Sequence, residues 1–82
     1  MNLIIEGYIK NLTKDDIYNF AIKNNIDLTL EELNFTYNFI KTNYQEVLKS
    51  PNNFNFDKYR NNFSKNNFLK IEQLIKKYSN YL

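Results

Sequence analysis

The chain contains no cysteine and no histidine. Without thiols there is no disulfide framework and no thiolate metal site. Without imidazole it lacks the commonest metal ligand and the commonest general base near neutral pH. Tryptophan is absent too, and the single glycine, Gly7, excludes the glycine-rich loops that cradle phosphates. Nowhere does an apolar run approach the ~20 residues of a membrane span. The start, Met1 to Gly7, carries neither the basic residues nor the apolar run of about 7–15 residues that a signal peptide needs, so the expected location is the cytoplasm. A net charge of +2 is too small to select a partner class.

What is present is mostly asparagine, lysine and aromatic rings. Sixteen Asn, ten Lys, seven Tyr and seven Phe stand against one Arg. AT-rich codons raise these residue types together, which points to an AT-rich bacterial genome. The asparagines alternate with periodic apolar residues throughout, unlike a disordered polar tract. With 82 residues, of which 43% are hydrophobic, the chain is read as one domain, 1–82.

Apolar residues recur at helical spacing almost everywhere. A first helix over about residues 2–11 carries Ile4, Ile5, Tyr8 and Ile9. Thr13 is the expected cap of a second, about 14–24, with Asp15 and Asp16 at the positive end of its dipole and Ile17, Phe20 and Ala21 inward. Asn24-Asn25 should end it, because Asn tolerates left-handed geometry, and a short extended link then points Ile26 and Leu28 inward. Thr29-Leu30-Glu31-Glu32 reads as a capping box opening a third helix, about 30–49. Leu33, Tyr37, Ile40, Tyr44, Val47 and Leu48 form its stripe. Ser50-Pro51 breaks the chain before a short fourth helix, about 55–63, with Phe56, Tyr59 and Phe63. Ser64 caps a last helix, about 65–81, striped by Phe68, Ile71, Ile75, Tyr78 and Leu82. The expected fold is all-α, a compact bundle of four to five short helices.

Leu12-Thr13 through Ile26-Asp27-Leu28-Thr29, with Phe20-Ala21 between them and Glu72-Gln73-Leu74-Ile75 near the end, resembles the YqfT-like family of small uncharacterised proteins of Bacillus and its relatives. The resemblance covers nearly the whole chain and rests on helix punctuation and core positions. It implies a helical fold and a bacterial cytoplasmic origin, with no activity attached.

No enzyme chemistry emerges from the residues. Asp15-Asp16 and Glu31-Glu32 are adjacent pairs that diverge by ~100° around a helix, whereas acid–base work needs two carboxyls facing one substrate. Ser50, Ser64 and Ser79 have no His to activate them. The expectation is a non-catalytic protein-interaction or accessory module without metal or cofactor. Its partner is a protein or a second copy of the chain. Phe35 and Phe39 fall opposite the main stripe of the third helix; either another helix covers them or, with Tyr81, they form a contact surface. The alternative expectation is a nucleic-acid-binding module using the basic C-terminal half. Residues 51–82 hold Lys58, Arg60, Lys65, Lys70, Lys76 and Lys77 against Asp57 and Glu72, six minus two or +4, while residues 1–50 sum to −2.

Overall fold

The computed structural model describes residues 3–50 and 53–79. Helices α1 (Leu3–Lys10), α2 (Lys14–Lys23) and α3 (Leu30–Lys49) are followed by a 3-10 helix, Phe56–Asn62, and by α4 (Lys65–Ser79). No strand occurs among the described residues, and none of these helices is long and apolar enough to cross a membrane. Tyr81, named above as a contact residue, lies outside the described residues, as does Leu82.

The helix starts follow from their local chemistry. At Thr13 and again at Thr29 the cap hydroxyl accepts from the backbone N–H three residues on, and the carboxylate of that residue accepts from the cap's own N–H. Two donors that the first turn of any helix leaves orphaned are thereby met at each end. The stop of α2 is equally specific. Asn25 adopts φ 63°, its N–H donates to Ile22 O, and the Ile26 N–H reaches back to Ala21 O at 2.8 Å. This double return bond is the Schellman arrangement, with the accompanying contact between Ile26 and Ala21 supplied by the core. It turns the chain so that Ile26 and Leu28 point inward from the extended link, where both are buried.

Ile17, Ala21, Ile26 and Leu28 form the buried cluster, and Leu12, Leu33, Tyr37, Ile40, Phe63, Ile71 and Leu74 pack around it. Helix α3 is central. Leu33, Tyr37 and Ile40 face the cluster, while α1 lies along the same helix farther down. The Lys41 ammonium holds α1 by donating to the carbonyls of Ile9 and Lys10, both at 2.8 Å. A cation is thus set on the negative end of that helix. On α4 the inward residues are Phe68, Ile71 and Leu74.

The short fourth helix expected at about 55–63 is present as a 3-10 helix, Phe56–Asn62. Asn55 Oδ1 accepts from the Asp57 N–H at its start, a short-range bond that competes with an α-helical turn. Its rings are shared between two helices: Tyr59 packs on Phe35 and Phe39 of α3, and Phe56 on Phe68 of α4. Tertiary contact, rather than local propensity, sets its geometry.

Gly7 sits inside α1, and a methyl group added there would meet nothing within 4 Å. Gly7→Ala removes the entropic cost of glycine in a helix without a clash. It should raise unfolding free energy by about 0.5–1 kcal/mol in urea titration; a loss of stability would contradict this placement of α1.

Candidate functional site

The acidic pairs separate as helical geometry requires. Asp16 is engaged in its capping box and Asp15 is exposed; Glu32 is buried and Glu31 exposed. No carboxylate pair converges on a common point, and no group of three or more metal-ligating side chains forms among the described residues.

Glu32 does more than close its capping box. It is 4% exposed, yet three donors from separate parts of the chain converge on its carboxylate. Oε1 accepts from the Thr29 N–H at 2.8 Å and from the Asn67 amide at 2.9 Å. Oε2 accepts from the Ser64 N–H at 2.7 Å. Asn67, itself buried, also donates to the Asp27 carbonyl at 3.0 Å, and its N–H is taken by Ser64 Oγ, the cap of α4. Burial pushes the Glu32 carboxyl up, but the hydrogen bonds from Thr29, Ser64 and Asn67 outweigh it and hold the group below its ordinary 4.5. The cluster is a junction: it ties the start of α3 to the start of α4.

Phe35 and Phe39 are half-buried and engaged within the chain. Phe39 meets Tyr59 with ring centroids 4.8 Å apart, and Phe35 meets Phe63 edge-on at 5.6 Å. The series continues through Phe54 and Phe56 to Phe68, whose ring lies parallel to Phe56 at 4.6 Å. The covering element is the segment of residues 54–63. Beside it, an open groove of about 430 Å³ runs between the end of α3 and this segment, lined by Phe39, Asn43, Val47, Phe54, Lys58 and Tyr59 among others.

The six basic residues of the C-terminal half do not form one set. Lys58 lines the groove. Arg60 pairs with Asp57 at 2.9 Å and lays its guanidinium over the Phe68 ring at 4.4 Å, so its charge is largely met within the chain. Lys65, Lys76 and Lys77 are exposed on α4, and Lys70, half-buried, donates to the Asn25 carbonyl at 2.7 Å. These four share the side of α4 away from Phe68, Ile71 and Leu74.

Exposed apolar residues are found elsewhere. Ile4 is 83% exposed and Tyr8 68%, one turn apart on α1. Tyr18 and Ile22 repeat that spacing on α2 with less exposure. The sequence places Ile4, Ile5, Tyr8 and Ile9 on one apolar helix; which side faces water is decided by the docking of α1 on α3. Comparison of the chain with protein-family models, curated proteins and solved structures finds no match.

The junction has a testable signature. Glu32→Gln replaces an acceptor oxygen with an amide that opposes the incoming donors, and should cost roughly 2–3 kcal/mol of stability near neutral pH. Because the folded-state pKa lies below 4.5, the Glu32 contribution is fully present above that value and is lost as pH falls through the folded one. Asp16, lowered from 3.8 by its bonds from Thr13, acts in the same direction. Denaturant titrations across the acid range should therefore show native stability falling below pH 4.5 more steeply than in Glu32→Gln. Parallel profiles would contradict the assignment.

Proposed function

We propose that this chain is a non-catalytic helical module that works by docking a protein partner on the outer side of α1. The observation that carries this reading is the pair Ile4 and Tyr8, which stand in water on a helix anchored by Lys41 and by Tyr44, whose hydroxyl lies 3.5 Å from the Glu6 carboxylate. Large apolar groups left in water on a fixed helix cost solvation free energy that a partner would recover, at about 25 cal/mol per Å². A helix presenting two residues one turn apart suits insertion into an apolar groove of another protein. The non-catalytic part of the reading draws support from Glu32, Thr13, Thr29, Ser64 and Asn67, whose polar groups hold helix ends. The module is taken to act in the bacterial cytoplasm, in keeping with its cysteine-free, Asn- and Lys-rich composition. The resemblance to the YqfT-like proteins carries no part of the argument.

The test is affinity capture from a bacterial lysate with the native chain and with the Ile4→Asp/Tyr8→Asp double variant, after circular dichroism has matched their helix content. The expected outcome is a protein, or a second copy of the chain, retained by the native form and lost by the variant. Retention unchanged by the variant would remove α1 from the proposal.

A further inference from the structure

Helix α4 carries two different sides. Phe68, Ile71 and Leu74 face the core, and the opposite side holds Lys65, Asn66, Leu69, Gln73, Lys76 and Lys77 exposed, with Lys70 at its margin. At 100° per residue these seven fall within an arc of about 140°, in the order Lys65, Lys76, Leu69, Gln73, Asn66, Lys77, Lys70. Lysines therefore occupy both edges of the arc, and two amide side chains lie near its middle. Gln73 and Asn66 are about 20° apart around the axis and, at 1.5 Å per residue, about 10 Å apart along it. The sole carboxylate of α4, Glu72, is half-buried just outside the Lys65 edge.

We infer that the outer side of α4 is a surface for the major groove of duplex DNA, with Asn66 and Gln73 directed at base edges and the two lysine rows at the flanking phosphate strands. An α-helix about 10–12 Å across fits a groove about 12 Å wide. Lysines at both margins of the inserted side then meet a phosphate strand on each wall of the groove. Asn and Gln are the side chains that pair bidentately with adenine in that groove, and a separation of about 10 Å spans about three base pairs. Charge complementarity supplies the attraction: Lys65, Lys70, Lys76 and Lys77 stand on this side of α4, and Glu72 is the one carboxylate of that helix.

The competing polyanions fit less well. Double-stranded RNA has a deep, narrow major groove that side chains do not read. Single strands are held by stacking on exposed rings, whereas the outer arc of α4 has none and the Phe35–Phe68 series of rings is turned into the chain. A membrane surface calls for an apolar side available to lipid, and the apolar side of α4 rests on the core, leaving Leu69 alone among the lysines. This inference stands apart from the α1 contact and does not rest on it.

The experiment is fluorescence anisotropy with the full chain and a labelled mixed-sequence DNA duplex over a fourfold range of salt. Four phosphate contacts predict an affinity loss on the order of 100-fold across that range. Lys65→Gln with Lys77→Gln, one from each row, should reduce the loss to about tenfold, while Lys49→Gln with Lys58→Gln, on the groove beside α3, should leave it unchanged. Asn66→Ala with Gln73→Ala should keep the salt dependence and narrow the spread of affinities across a pool of duplexes. Circular dichroism checks that each variant is folded. No binding at low salt, equal or tighter binding to single-stranded DNA or duplex RNA, capture by anionic phosphatidylserine vesicles in place of DNA, or lysine variants without effect on the salt slope would each overturn the inference.

Discussion

A carboxylate taken out of water must be met by donors, and the placement of Glu32 depends on three arriving from residues 29, 64 and 67. One of them is local and would form in any capping box. The other two come from more than thirty residues away, so the same side chain that starts α3 also fixes where α4 begins. Unpaired, such a buried charge would cost several kcal/mol; met by three hydrogen bonds, it instead specifies one arrangement of the two helices. Asn67 completes the junction by holding the Asp27 carbonyl, and Lys70, one turn on, takes the carbonyl of Asn25. Helix α4 is thus bound to the link between α2 and α3 at successive turns.

Around this junction the apolar residues divide into two groups. The aliphatic cluster of Ile17, Ala21, Ile26 and Leu28 lies on one flank of α3, and the ring series from Phe39 to Phe68 on the other. Only five hydrophobic side chains are buried among the described residues, so much of the apolar surface is half-covered. With so few side chains enclosed, apolar residues at the edges of the described fold stay exposed. That constraint leaves Ile4 and Tyr8 outside on α1 and gives α4 a wholly polar outer arc apart from Leu69.

Helix identity was legible because it is written in short-range chemistry. The capping boxes at Thr13 and Thr29, the left-handed Asn25, the inward Ile26 and Leu28, and the Ser64 cap all depend on residues within five positions of one another. Residues 12–16 and 28–32 share the order Leu-Thr-x-acid-acid and each opens a helix with the same capping box, yet Asp16 stays at the surface while Glu32 is buried. Glu32 is one methylene longer than Asp16, but reach alone does not bury a carboxylate. The difference lies in Ser64 and Asn67, whose approach is a property of the packed chain. The same reason hid the 3-10 geometry of residues 56–62 and the division of the basic residues among groove, ion pair and α4. Whether Phe35 and Phe39 were covered could be posed from their spacing, but the cover came from a segment whose contacts are non-local.

The junction is tested most directly by amide hydrogen exchange at Ser64 in the native chain. Ser64 is an exposed residue outside any helix, and without Glu32 its N–H would be open to water. The account predicts that this amide exchange is as slow as that of Phe68, whose N–H lies within α4 and donates to Ser64 O at 2.8 Å, because both open only when the junction does. Exchange at Ser64 as fast as at the exposed residues before it would contradict the claim that Glu32 joins the two helices.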